Sequence, residues 1–413
     1  MNWFGILVLV FVALRWAAQL WLERLNASYV RAHADAIPPG LRPAIDPSTY
    51  AKAVQYTLAK SRFRKIELSY DAVVLVLVLF SGVLTWTFGL YHRALGDSPW
   101  AKGAALFGIG MVLSILELPF GWWAQFRLEE NFGFNTSSQR IWWMDRLKGL
   151  CLGILLGYPL VVLILSLVKW TGTSWWLWAW CAVMVFQLLM TVLAPVLILP
   201  LFNKFTTLPE GSLRERLLKL AQRTAFRAQS IQVMDGSKRS RHSNAFFIGF
   251  GGFRKIVLFD TLLEQLLEPE LEAVLAHEIG HFKKKHIPKM LVASMLGSLA
   301  GFYILGWLAK QAWFFQAFGF PAGEPAAALL VFGLLSGVAM FWLSPLMHWW
   351  SRRYEYQADK FAAQTLSESA SLIAALRKLN EKNLSNFTPH PFYSGFYYSH
   401  PTLLEREQAL LDA

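Results

Sequence analysis

Charge is the scarcest property of this 413-residue chain. Asp, Glu, Lys and Arg together make up 16% of it, against roughly a quarter in soluble domains. With 55% of residues hydrophobic, that shortage excludes an ordinary water-soluble globule. Cysteine is nearly absent. The two present, Cys151 and Cys181, both lie in apolar runs and read as small core residues, which excludes a disulfide scaffold or a cysteine metal site. There is no internal repeat and no low-complexity tract. The first apolar run, Trp3 to Leu22, lacks a basic leader, carries Arg15 and is not followed directly by a small-residue cleavage site, so it reads as a retained span. Acidic residues are outnumbered 27 to 39, giving a net charge of +12. In a chain with 19 Trp and 31 Phe, a basic excess reports membrane topology and a lipid-bilayer partner, not nucleic acid.

Runs of about 20 apolar residues mark membrane helices. Seven are present, at 3–22, 71–91, 104–124, 149–168, 175–201, 290–309 and 326–347. Between them Lys and Arg alternate high and low. Thirty-four fall in 23–70, 125–148, 202–289 and 348–413, and four in 92–103, 169–174 and 310–325. Positive residues stay inside, which places the N-terminus outside and the C-terminus in the cytoplasm. Arg15, Glu117 and Gln187 lie within spans and should face a polar interior, since charge in lipid is costly. The fold expected is a mainly α, polytopic membrane protein. Its divisions are 1–201 (spans one to five with their loops), 202–289 (a cytoplasmic catalytic segment), 290–347 (spans six and seven) and 348–413 (a cytoplasmic tail). Within 202–289, Ser230–Met234 reads as a strand, and Asn244–Phe250 with Lys255–Phe259 as a hairpin turning at Gly251-Gly252. A free strand edge there could pair with an extended peptide.

The chemistry concentrates in His277-Glu278-Ile279-Gly280-His281. On a helix, residues four apart share a face, so both imidazoles can reach one ion. The Glu between them can take a proton from a water whose pKa the ion lowers to roughly 7. Pro269 and the acidic Glu268, Glu270 and Glu272 mark the helix start. A catalytic zinc wants a third protein ligand. A third histidine in the metzincin register is excluded, because Ile287 stands at that position and Lys284 at the glycine position. His286, nine residues past His277, faces away on a continuous helix and reads as a helix-end histidine. Glu355 and Asp359, four apart after the last span, share a face. One would bind the metal and the other accept the free N–H of a ligand imidazole. Spacing does not say which.

HEIGH, then Glu355 and Asp359 after a further span, then Ser399-His400-Pro401-Thr402-Leu403-Leu404-Glu405-Arg406, resemble the M48 metallopeptidases, specifically the Ste24-type CAAX prenyl protease branch. His242-Ser243-Asn244-Ala245-Phe246-Phe247 resembles that family's HSNAYF strand, with Phe where Tyr is usual. Glu129 to Asn135 resembles its E-x-x-x-GFN loop. The resemblance implies a zinc metalloendopeptidase holding one Zn²⁺ on His277, His281 and Glu355. Glu278 would be the general base, Asp359 would orient a ligand histidine, and Asn244 and His400 would contact the substrate carbonyl. Arg406 would pair with a site carboxylate or anchor the tail. It also implies seven helices enclosing a chamber, and a peptide or protein substrate, membrane-associated or lipidated. The spare loops read as a prokaryotic, inner-membrane form. Two alternatives are a non-proteolytic M48-like channel or chaperone, against which the intact Glu278 argues, and an HtpX-like quality-control protease, which would have fewer spans before HExxH and lack the SHP-x-LLER tail.

Overall fold

The computed structural model describes residues 2–42, 45–226, 230–248 and 255–412. The chain is mainly helical, and several long helices open the same way. A polar side chain caps the first free amides while proline, whose missing N–H costs nothing there, fills the first turn. Asp46 accepts from the Ser48 and Thr49 amides ahead of Pro47–Phe80, Ser98 from Ala101 ahead of Pro99–Trp123, and Glu324 from Ala326 ahead of Pro325–Leu366.

Five helical segments are long and apolar enough to cross a membrane, and a bent pair could add a sixth crossing. The expected span 71–91 is that bent pair. Pro47–Phe80 and Val83–Leu95 meet at 56°, because Gly82 takes a left-handed φ of 82° between them. Prolines inside spans are accommodated rather than avoided. One-turn π segments at Gly153–Gly157 and Ala194–Ile198 lie beside or over Pro159 and Pro195, where the ring displaces the regular ladder. The continuous helical run Gln139–Phe202 turns at Gly172 (φ 56°), and Tyr158–Thr171 packs along Trp175–Leu193. Both cysteines are free; Cys151 is exposed and Cys181 half-buried, so neither is the core residue expected. Among the spans lies a cavity of about 1050 Å³ whose lining includes Arg64, Asp71, Glu117 and Arg146.

Beside the membrane helices lies a four-stranded mixed sheet: β1 (Phe205–Thr207), β2 (Ser230–Met234), β3 (Ala245–Ile248) and β4 (Lys255–Phe259), in the order β1-β2-β4-β3. β2 and β4 are parallel and the other pairs antiparallel. β3 and β4 pair as the expected hairpin, and its turn at Gly251-Gly252 lies outside the described residues. β3 ends the strand order and packs against the HEIGH helix, Glu268–Lys283. Ile231, Ile256 and Leu258 share one buried cluster with Leu271, Leu275 and Ile279 of that helix. Glu270 closes the helix start by accepting from the Leu267 amide at 2.8 Å, as the acidic first turn predicts.

Candidate metal centre

Two helices build the site, and a glycine sets their spacing. A Cβ on Gly280 would sit 3.0 Å from Ala358 Cα and 3.1 Å from its carbonyl oxygen. Only with hydrogen there can the HEIGH helix lie this close to Pro325–Leu366. Ala358 lies between Glu355 and Asp359 in sequence, so the same close approach delivers both carboxylates to the histidines.

The three expected ligand atoms converge. His277 Nε2 and His281 Nε2 are 3.1 Å apart, and the Glu355 carboxylate stands 3.5 Å from the first and 3.3 Å from the second. An ion held tetrahedrally by bonds of roughly 2.0–2.1 Å keeps its ligand atoms about 3.3 Å apart. Glu355 is buried, and its Oε2 accepts no hydrogen bond among the described residues. Two imidazole nitrogens and a carboxylate oxygen are a donor set that suits zinc, itself a borderline-soft ion. The residues present therefore fit a metal ion of that kind.

The spacing left Glu355 and Asp359 interchangeable; the geometry separates them. Glu355 faces both Nε2 atoms, whereas Asp359 Oδ1 lies 2.8 Å from His277 Nδ1, on the far side of that ring. Arg406 clamps Asp359 through two bonds, Nη2 to Oδ1 at 2.6 Å and Nε to Oδ2 at 2.8 Å. Arg406 lies on the tail helix Leu403–Leu411, so this pair joins that helix to Asp359. Burial disfavours a charged His277, but its hydrogen bond to Asp359 and the neighbouring Glu355 carboxylate outweigh it and push its pKa up to about 9. A proton and a metal ion compete for the same Nε2 lone pair. Burial also raises the Glu278 carboxyl, with the two neighbouring imidazoles pulling the other way.

His400 brings Nε2 to 3.5 Å from Glu355 Oε1, with its other nitrogen on the Ser399 hydroxyl at 3.0 Å. Asn244 stands exposed at the head of β3, and its side-chain oxygen accepts from the Ala245 amide. It makes no hydrogen bond to the three converging residues among those described. His286 is not where helical counting put it. The HEIGH helix stops at Lys283, Lys285 takes a left-handed φ of 57°, and His286 opens the next helix, His286–Leu308. That turn brings its ring back to 3.1 Å from His281 Nδ1. Pro288, unsuited to a helix interior, was the signal for this break. Thr402 and Glu405, which cap the tail helix reciprocally, form a Thr-x-x-Glu pattern that was also there to be read.

Two family descriptions cover nearly the whole chain. Residues 26–204 match the CAAX prenyl protease N-terminal family of five membrane helices, and residues 207–413 match peptidase family M48. CAAX prenyl protease 1 of Saccharomyces cerevisiae is 35% identical over 92% of this chain and 90% of its own length. The human CAAX prenyl protease 1 homolog is 31% identical over 96% and 93%. The crystal structure of S. mikatae Ste24p superposes with a TM-score of 0.92 at 30% identity, covering 99% of both chains. With these matches running over nearly its whole length, the chain belongs to peptidase family M48 as a membrane zinc metalloprotease.

Proposed function

We propose that this chain is an endopeptidase that holds one zinc ion on His277, His281 and Glu355 and cleaves membrane-associated peptides at the cytoplasmic face. The observation carrying this reading is that two imidazole nitrogens 3.1 Å apart both face the Glu355 carboxylate, His277 Nε2 at 3.5 Å from its Oε2 and His281 Nε2 at 3.3 Å from its Oε1, with Glu278 on the same helix turn. Zinc bound there supplies a Lewis acid that polarises the scissile carbonyl and makes a water acidic enough to act as nucleophile near neutral pH. Glu278 takes that water's proton and passes it to the leaving amine. Asp359, held by Arg406, accepts the His277 Nδ1 proton and keeps the Nε2 lone pair turned to the metal. His400, beside Glu355, and Asn244, at the head of the open edge of β3, serve the developing oxyanion, a role worth a few kcal/mol for a positioned donor. The β3 edge receives the substrate as an added strand, which puts its carbonyl next to Asn244.

Seven crossings are the reading supported by the five apolar segments, the bent pair at Gly82 and the reversal at Gly172. The cavity, whose largely apolar lining also carries Arg64, Asp71, Glu117 and Arg146, supports a chamber among them. The alternation of basic segments supports an outside N-terminus with the site and the C-terminus on the cytoplasmic side, and the spare loops support a prokaryotic inner membrane. The relatives' names carry the substrate class to this chain: a peptide with a prenylated C-terminal motif.

The test incubates purified parent and Glu278→Gln with matched prenylated and unprenylated peptides and reads products by mass. The parent should cleave, preferring the prenylated member. The variant should keep about one equivalent of zinc and lose activity by at least ~100-fold, the lower range for a general base. A variant that cleaves as fast as the parent overturns the mechanism. Equal cleavage of both peptides overturns the substrate class alone.

A further inference from the structure

The two histidines that point at one another across the site are backed by different chemistry. His277 has a carboxylate behind it. His281 has a second imidazole: its Nδ1 lies 3.1 Å from His286 Nδ1, and the far nitrogen of His286, Nε2, lies 3.0 Å from Gln357 Oε1. His286 is buried at 1% exposure, and its ring lies flat on Tyr354, with centroids 4.0 Å apart and planes 8° from parallel.

This chain of contacts permits one proton arrangement if His281 is a ligand. A neutral imidazole carries one N–H and one lone pair. With the lone pair of His281 on the metal side, at Nε2, its proton sits on Nδ1 and needs an acceptor. The atom facing it, His286 Nδ1, can accept only if it carries no proton. The His286 proton is then on Nε2, where the carbonyl oxygen of Gln357 accepts it. Reversing either tautomer sets two N–H groups, or two lone pairs, against each other at 3.1 Å. One helix supplies the whole support: Tyr354 stacks under the ring, Gln357 fixes its tautomer, and Glu355 between them faces the metal side. A neutral backing here adds no further anion to a site that already buries Glu355 and Asp359.

We propose that His286 is a positioning residue that holds His281 in its metal-binding tautomer and ring orientation, with Gln357 as the end of the relay. This rests on His277, His281 and Glu355 being the zinc ligands, and the experiment separates the two. Full-length protein is purified in detergent, and the zinc dissociation constant is measured by chelator competition. The cobalt-substituted absorption spectrum is recorded on the same samples. His286→Phe keeps a flat ring on Tyr354 and removes the acceptor. His286→Asn places an oxygen where Nδ1 stands. We expect His286→Phe to bind zinc about 10- to 100-fold more weakly, the usual cost of losing such a partner, and His286→Asn to recover most of that loss. The cobalt spectrum should shift in the Phe variant and stay near the parent's in the Asn variant. Thermal unfolding of the metal-free proteins checks that both variants fold. Parent-like affinity in folded His286→Phe overturns the proposal, as does equal loss in both variants, which would make His286 a packing residue. His281→Ala is the control for the underlying reading: if it binds zinc as tightly as the parent, the ligand assignment fails, whatever the His286 variants do.

Discussion

Side chains on the outer face of the helical bundle, among them Trp86, Trp100, Leu155, Trp170 and Val185, are more than half exposed and apolar. Around the HEIGH helix the reverse holds, and charged groups are buried. Glu270 pairs with Lys378 at 2.7 Å, Glu407 with Arg377 at 2.7 and 2.9 Å, and Asp359 with Arg406. A bilayer supplies the missing contacts of the first region, so its helices need only mutual shape. The second has to fix atoms to within tenths of an ångström, and it does so with directional pairs. Each buried pair is close to break-even as a source of stability but severe when half of it is lost. The difference predicts where substitution should hurt.

The largest effect should come from halving the Asp359–Arg406 pair. Arg406→Leu leaves a carboxylate only 2% exposed without its guanidinium, at a cost of about 3–5 kcal/mol. Denaturant unfolding of the metal-free protein should show that loss, with weaker zinc binding beside it. The double variant Asp359→Asn, Arg406→Leu should recover part of the stability. A single variant as stable as the parent would mean that the buried pairs do not distinguish this region.

Two glycines sharpen the same contrast. Gly280 meets backbone of the neighbouring helix, whereas Gly297, midway along His286–Leu308, has nothing within 4 Å of the place a Cβ would occupy. Gly280→Ala should therefore destabilise by about 1–3 kcal/mol through overpacking against atoms that cannot rotate away. Gly297→Ala should be neutral or stabilise by up to ~1 kcal/mol, the helix preference of alanine over glycine. Thermal midpoints of the two variants, measured side by side, should move in opposite directions or differ in size. Equal losses would show that the span around Gly297 is as tightly fitted as the site.

What could be read beforehand follows the same division. Apolar runs and the alternation of Lys and Arg are properties of composition along a line, so span positions were legible, but the kink at Gly82 was not, because one glycine among apolar residues carries no periodic signal. HEIGH was legible because a single helix turn holds it. Spacing alone could not separate Glu355 from Asp359, because their different distances to the histidines depend on two helices meeting at Gly280. His286 was misplaced by counting through Lys285 as if the helix continued. β1, three residues long and partnered among the described residues only by β2, has too few positions for alternation to show.

The smallest expected effect tests whether a polar link at the edge of the catalytic region is ionic. His242, two residues before Asn244, places Nδ1 2.8 Å from Asn383 Oδ1 and Nε2 3.3 Å from Glu129 Oε2, with its ring stacked on Phe134. Both nitrogens face acceptors, so both bonds form only when the ring is protonated. Burial works against that charge, but Glu129 and Asn383 lift the pKa above the ordinary histidine value; Lys60 opposes the lift, and Tyr56 occupies the other Glu129 oxygen. A group whose pKa rises on folding stabilises fully below its unfolded value, about 6.5 for histidine, and loses that contribution as pH climbs through the higher folded value. The His242 side chain is 40% exposed, so the effect should be modest. The difference in thermal midpoint between the parent and His242→Asn should be widest in mildly acid buffer and shrink as pH rises past the folded value. A difference that stays constant across that range would make His242 a neutral hydrogen-bonding residue. Charge pairs would then hold the site itself but not the strand that leads into it.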